Sequence, residues 1–491
     1  MKAYIDERSM GAGKTYDAIE RLITCKCKAL FITERIESFD EVESTISKAS
    51  IKHGVKPIVR RIHAGDLEWS NSVSREIEEL PTFFRDADHV IVIATHAAML
   101  RSDLSNFHGW QIVIDEVPQL LDFENLRTHL DADFFETHYQ LAAFDEGWSS
   151  VTLTRAGESV TVADVQSDDS HRHLAVFHRR VVDASRSDAR RVVVCNLSDW
   201  AMMADRNVKW CWASVFSFGE LAAFDRVEML GNRFRRDVGC EIAQVLDLDD
   251  IEWVTLPAPQ PREFFHRHVH IHYFSDVRSS SLTFFTDPAG QKTLREIGEF
   301  LAMQMPAVGS IWSANAKART SLAPRPAHGL ATANYLNPRQ AGTNLHKAAS
   351  SAAMIYAAKP CPNLRALLKC LKIDTDKWAQ SVEHETILQF ATRTSVRDPG
   401  NASPVHIWVF DRKQALYLKR YFDDLAHVTA HMERVENGPV IPREGKRGPK
   451  ETVRTPAEHA AHEVEKRARD AERKRLARAR KRAASEALRA A

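Results

Sequence analysis

Two short stretches carry the residue types that phosphate chemistry needs. The first is Gly11-Ala12-Gly13-Lys14-Thr15 and the second is Asp115-Glu116. Glycines at 11 and 13 let backbone N–H groups close around phosphate oxygens, and a helix starting there adds its positive end. Lys14 brings a charge to the terminal phosphates, and the Thr15 hydroxyl is of the kind that ligates Mg²⁺. An aspartate such as Asp115 can complete that metal shell. The adjacent Glu116 can orient or deprotonate an attacking water. The expected roles follow: nucleotide binding for Gly11, Ala12, Gly13, Lys14, Thr15 and Asp115, Mg²⁺ for Thr15 and Asp115, and catalysis for Lys14 and Glu116. One residue departs from the strict G-x-x-x-x-G-K-[ST] pattern: Arg8 stands where the first glycine belongs. A glycine-rich turn with a chance Lys-Thr is the rival reading. It weakens once a carboxylate pair follows about a hundred residues later.

These residues need elements to hold them. Ala3–Asp6 can form a short strand, and Ala18, Ile19, Leu22 and Ile23 fall at helical spacing after the loop. Ala29–Thr33, His89–Thr95 and Trp110–Glu116 are short apolar runs, as buried parallel strands are. Helix-like segments at Ser38–Ala49 and Val73–Leu80 alternate with them, which argues for a parallel sheet with helices on its faces. In such sheets the ligand crevice lies at the C-terminal strand ends, where Asp115 and Glu116 fall. Residues 119–190 are expected as an insertion carrying a hairpin at Val151–Val162.

With those residues in place, the sequence resembles superfamily 2 DExD/H-type helicases, in the compact form found in phages and plasmids. Motif I is Gly11–Thr15, and motif II is Asp115-Glu116-Val117-Pro118. Candidates for the others are Phe31–Arg35 (Ia), Ile93–His96 (Ib), Ala213–Ser217 (III), Gly309–Asn315 (IV), Ala341–Asn344 (V) and Gln389–Arg397 (VI). In motif VI, Thr392 replaces a glycine and the last arginine comes one position late. The resemblance implies an α/β fold of two tandem RecA-like (P-loop NTPase) domains with parallel sheets. The first would span 1–255 and the second 256–435, with a basic helical or disordered C-terminal tail at 436–491. It implies ATP and Mg²⁺ as cofactors, and Arg393 and Arg397 as catalytic arginine fingers on the γ-phosphate. It also implies phosphate-backbone contacts at Thr33, Arg35, Thr95 and Thr343. The implied activity is an ATP-dependent nucleic-acid helicase or translocase, acting on DNA in phage or mobile-element replication beside other replication proteins. Two alternatives stand: a nucleotide-dependent DNA-binding or origin-recognition protein without unwinding, and a terminase-like packaging ATPase. The packaging motor would need a nuclease with clustered acidic residues, and Asp423 and Asp424 are the only adjacent acidic residues after Phe410.

Composition sets the outer bounds. The 491 residues are 44% hydrophobic and 27% charged, which excludes a wholly disordered chain. No run of about 18 apolar residues occurs, so no membrane partner is expected. The charged start MKAYIDERSM does not read as a secretory leader, so a cytoplasmic location is expected, in the host if phage-encoded. The net charge of +1 hides an asymmetry: Arg443–Ala491 holds 16 Lys/Arg against 8 Asp/Glu, leaving a mildly acidic body. That tail reads as an arm for nucleic acid, against a solvated tail without a partner. Seven cysteines without C-x-x-C spacing argue against a disulfide framework or a zinc site. His266, His268, His270 and His272 share one face of a strand; a polar strand face is preferred over a metal site. Trp210 and Trp212 are read as packing rather than as base-stacking platforms.

Overall fold

The computed structural model describes residues 1–439 apart from 71, 129–131, 146, 187–190, 197–207, 246–250, 258, 260–261, 277–287, 324–329, 331–333, 339–345 and 437. The basic tail from residue 440 onward and the motif V candidate, with Thr343, lie outside the described residues. The chain opens with β1 (Lys2–Asp6), helix α1 (Lys14–Cys25), β2 (Lys28–Thr33), helix α2 (Phe39–His53), β3 (Ile58–Arg61), β4 (Val90–Thr95) and β5 (Trp110–Asp115). Five strands from β6 to β10 then form a separate sheet, before β11 (Arg226–Leu230) and β12 (Glu252–Thr255) return to the first. The first sheet has the order β12-β1-β11-β5-β2-β4-β3, and every pairing in it is parallel.

Alternation within the strands explains why both faces are covered. Leu30 and Ile32 of β2 join Val92 and Ile112 in one apolar cluster, while Ala29 and Phe31 join Ile91 and Val113 in another with α1 and α2. A strand apolar at every position can be buried only this way. Two consecutive strands, β1 and β2, are separated by β11 and β5, so a crevice opens at the carboxyl ends of the strands between them.

β6 (Leu121–Thr128), β7 (Tyr139–Asp145), β8 (Trp148–Leu153), β9 (Val192–Asn196) and β10 (Val208–Val215) make an antiparallel sheet of order β6-β10-β9-β8-β7. The excursion therefore runs past residue 190, where the sequence reading ended it, to Val215. The hairpin expected at Val151–Val162 is not formed. Thr154 caps a short helix at Arg155–Glu158, and Thr161 with Asp164 closes a capping box on Val162–Ser167. Those two threonines divert the chain from a second strand. Trp210 and Trp212 are buried against Phe177, which settles them as core. The motif III candidate falls on the antiparallel sheet: Ala213–Val215 belong to β10, whereas the strand between β1 and β5 is β11.

The third sheet is parallel, with β13 (Arg267–Ser275), β14 (Ser310–Ala314), β15 (Ser351–Ile355), β16 (Val405–Asp411) and β17 (Val428–Arg434) in the order β14-β15-β16-β13-β17. With the first sheet it gives the α/β, two-sheet parallel architecture expected of tandem RecA-like domains. β13 carries the alternating histidines. In register, His406 and His431 flank His270 on the neighbouring strands. The rings stack on one another, and among the described residues no group of three metal-binding side chains forms.

The antiparallel sheet does not stand apart from the second half. Leu121, Trp148, Ala213 and Val215 share an apolar cluster with Leu364, Leu367, Leu368, Leu371, Ile373 and Trp378. Cys25 and Cys27 are bonded to each other across the left-handed Lys26 that ends α1, a single local link and not a disulfide framework. The link spans one intervening residue, and the other five cysteines are not disulfide-bonded. No helix among the described residues is long and apolar enough to cross a membrane.

Candidate nucleotide site

The loop between β1 and α1 is shaped by two glycines in the left-handed region, Gly11 at φ 79° and Gly13 at φ 87°. Gly13 is the N-cap of α1, and no side chain caps that helix. Its first N–H groups therefore face the crevice, as an anion site requires. Ala12 N–H donates to Ser9 O at 3.3 Å, which tightens the turn. Arg8 does what the missing glycine cannot. Its guanidinium bonds Asp6 at the end of β1 and Asp17 in the first turn of α1, both within 2.7 Å. An ionic staple thus closes the base of the loop. Burial works against the Asp6 charge, but the Arg8 hydrogen bonds outweigh it and hold the carboxyl below its ordinary value.

Lys14 folds back onto its own loop, donating to Arg8 O at 2.9 Å and Ser9 O at 3.1 Å. Burial pushes its ammonium below the ordinary range, although Asp115 and Asp6 pull the other way. Thr15 Oγ1 donates to Asp115 Oδ2 at 2.9 Å, so the two residues assigned to one metal shell are in contact across the sheet. Burial first, and Glu116 second, push the Asp115 carboxyl up to about 7. A divalent cation would relieve that cost, so the donor set of a hydroxyl beside a desolvated carboxylate fits Mg²⁺. When bound there, the ion would supply charge neutralisation for phosphate oxygens.

Among the described residues, Glu116 is one of four non-glycine positions with positive φ, at 70°. A strained backbone of this kind costs on the order of 1–3 kcal/mol and is found where it serves a site. The bend carries Glu116 off the line of β5. Its N–H donates to Leu230 O at 2.8 Å. Its carboxylate accepts from Gln389 Nε2 at 2.5 Å. Gln389 belongs to the second half of the chain, so this contact bridges the segments that carry the two parallel sheets. Beneath the pair, the His96 ring donates from Nε2 to Asp115 O at 2.9 Å, and burial pushes its pKa down to about 4.

Arg393 and Arg397 approach from the same side as Gln389. Arg393 is 3% exposed, and its Nε and Nη1 atoms have no hydrogen-bond partner. Burial first, then the charge of Arg397, pushes its pKa down to about 10. Arg397 packs over Gly11, where a Cβ would lie 3.4 Å from its Cγ. Its buried Nε is likewise unpartnered. A cavity of about 800 Å³ opens between these groups, lined by Gly11, Lys14, Thr15, Asp115, Glu116, Gln389 and Arg397 among others.

The structure thus brings together Gly11–Thr15, Asp115, Glu116 and Arg397, with Arg393 close behind. The expected nucleic-acid contacts are placed differently. Thr33 is 3% exposed and its hydroxyl donates to Arg35 O at 2.9 Å. Thr95 caps the helix His96–Met99 by accepting from Ala98 N–H. The Arg35 guanidinium lies 3.9 Å from Glu34. Sequence reasoning missed Arg8, Arg262, Asn232 and Glu385. Glu385 accepts from Asn232 at 3.1 Å and from Tyr417 at 3.0 Å, and burial pushes it up to about 7. Only Arg8 left a trace in the sequence, in the carboxylates two before and nine after it.

No family model and no curated protein matches the chain. Among solved structures, an XPD helicase covers 88% of this chain and 96% of its own, with a TM-score of 0.48 and 10% identity. An S. tokodaii Xpd4 gives the same coverage, a TM-score of 0.43 and 12% identity. A hypothetical ATP-dependent RNA helicase from Sulfolobus tokodaii covers 86% of this chain and 90% of its own at a TM-score of 0.23 and 12% identity. The two-sheet architecture and the site rest on the strand order and side-chain geometry above, not on these superpositions.

Proposed function

We propose that the chain is an ATP hydrolase that uses nucleotide turnover to move on or open nucleic acid. One observation carries the nucleotide part: a glycine-rich loop bonded to its carboxylate partner, Thr15 to Asp115, shares its cavity with Arg397, whose buried Nε has no partner, and Arg393 lies behind it with two more. Desolvated, unpaired cations are costly, and a polyphosphate in the cavity would satisfy them. In this reading Lys14 and the arginines stabilise charge on the transferred phosphoryl group. Glu116, bent off its strand and held by Gln389, positions water. The cleft between two parallel sheets supports coupling to a track, since the contacts across it involve the residues that nucleotide would touch. Action on DNA, and service in the replication of a phage or mobile element, are the finer parts of the proposal. They draw on the motif resemblance and on the basic tail.

The test is ATP hydrolysis by the purified full chain, alone and with single-stranded DNA, duplex DNA or RNA, beside Lys14→Ala. Stimulation by one nucleic acid, abolished by the substitution, is the expected result and names the track. Hydrolysis indifferent to every nucleic acid would overturn the motor reading.

A further inference from the structure

The segment between the two parallel sheets contributes a cation that no motif assigns. Arg262 follows β12 and precedes β13, yet its guanidinium reaches the loop of the first half. A Cβ on Gly13 would lie 2.5 Å from Arg262 Nη2 and 2.9 Å from Cζ. Arg262 also lines the 800 Å³ cavity. Among the described residues it makes no ion pair and no hydrogen bond, which is unusual for a guanidinium that shares a cavity with Asp115 and Glu116.

Its mechanical attachment is to the other side of the cleft. Phe265 N–H donates to Pro399 O at 3.0 Å, the Phe264 ring stacks on His427 at 4.4 Å, and His266 meets Thr429 at 3.0 Å. Three successive residues therefore strap this segment to the second half, two positions from Arg397. Arg262 and Arg397 are thus both carried on the side bonded to the second half, and both meet the loop of the first. They meet it at different places: Arg397 over Gly11, Arg262 over Gly13, where α1 begins. Lys14, Asp115, Glu116 and Arg397 converge where the phosphoryl group is cleaved. The helix start is the natural seat of the phosphates that remain.

On the strength of the nucleotide-site reading above, we propose that Arg262 binds the phosphate chain of the nucleotide at the Gly13 end of the loop, holding ADP and ATP alike. It would then be a nucleotide-binding residue delivered across the cleft, distinct from the fingers that act on the terminal phosphate. Glycine at 13 is required for its φ of 87°, and the absence of a side chain there lets the guanidinium come this close.

The experiment is equilibrium titration of the full chain with N-methylanthraniloyl-ADP and with the non-hydrolysable N-methylanthraniloyl imido-ATP, using wild type, Arg262→Ala, Arg262→Lys and Lys14→Ala. Loss of a charge-assisted contact predicts at least about tenfold weaker binding of both nucleotides by Arg262→Ala. The melting temperature should stay within about 2 °C, since an exposed residue without partners is removed. Arg262→Lys should recover part of the affinity. Arg262→Ala binding ADP within twofold of wild type overturns the assignment. So does weakening confined to the ATP analogue, which would make Arg262 another terminal-phosphate finger. If wild type binds neither nucleotide, or Lys14→Ala binds as wild type does, the underlying site reading falls and takes this inference with it.

Discussion

The substitution Asp115→Asn should give a protein that is inactive but more stable, with a gain that grows with pH. The Asp115 carboxyl sits at about 7, against an ordinary 3.8, because burial and then Glu116 oppose its charge. That is a shift of about three units at about 1.36 kcal/mol each. Holding the charge in the fold thus costs at most on the order of 4 kcal/mol. The side chain edges the cavity, where water screens it, so about 2 kcal/mol is the working figure. The sign follows from linkage. An acid whose folded pKa is raised contributes its full share of stability below the unfolded pKa and loses it as pH rises through the folded one. Wild type is therefore penalised progressively from about pH 4, and fully above about pH 8. The amide of the variant keeps the size of the carboxyl, can still accept from Thr15, and carries no charge at any pH. Urea unfolding of wild type and Asp115→Asn at pH 5, 6, 7 and 8 measures the difference. A chelator is needed, because a bound divalent cation would itself relieve the charge. The advantage of the variant should widen by roughly 1–3 kcal/mol between pH 5 and pH 8 and then level off. An advantage of constant size across that range, or a variant less stable at pH 8, would refute the claim that Asp115 is held against a desolvation cost.

Other consequences are equally open to measurement. Arg8→Gly restores the strict loop pattern yet removes the staple between Asp6 and Asp17. It should lower unfolding stability by about 2–4 kcal/mol, and a variant as stable as wild type would show the staple to be idle. Gln389→Ala should cut kcat by about tenfold to a hundredfold with KM little changed, since it frees the Glu116 carboxylate without touching the loop. Equal effects on kcat and KM would argue that Gln389 binds nucleotide instead. Leu367→Ala, at a side chain with no exposure, should cost about 2–5 kcal/mol by thermal or urea unfolding. A loss under about 1 kcal/mol would mean that the apolar contact between the antiparallel sheet and the second half is not maintained in solution.

What the sequence disclosed was whatever chemistry forces into contiguous residues. A phosphate loop must be a run of glycines followed by Lys-Thr, and a buried strand must be apolar throughout, so β1, β2, β4, β5 and the loop were legible. The two carboxylates fell at a strand end for the same reason. Contacts between distant segments were not legible, because nothing local encodes them. Gln389 on Glu116, Asn232 on Glu385 and Arg262 on Gly13 join residues more than a hundred positions apart. The alternating stretch at Val151–Val162 misled because β-branched residues signal strand, while the capping threonines among them decide otherwise. The strand β11 beside the carboxylates was hidden by the long excursion before it.

That excursion has a mechanical meaning. It leaves the first sheet five residues after Glu116, at Leu121, and rejoins it at β11, the strand beside the carboxylates. Its far side is glued to Leu364, Leu367, Leu368, Leu371, Ile373 and Trp378. Six such side chains represent about 10 kcal/mol of apolar burial, too much to peel apart at each turnover. The second half is therefore tied to the first by this sheet, beside the polar contacts Gln389–Glu116 and Asn232–Glu385 at the cleft. On the proposed motor reading, a swing of the second half could not part it from the first like a jaw on one pin. It must drag the antiparallel sheet with it and twist the chain on both sides of Glu116. Anything that grips the sheet from outside would feel the state of the cleft, and could brake or spring it in return.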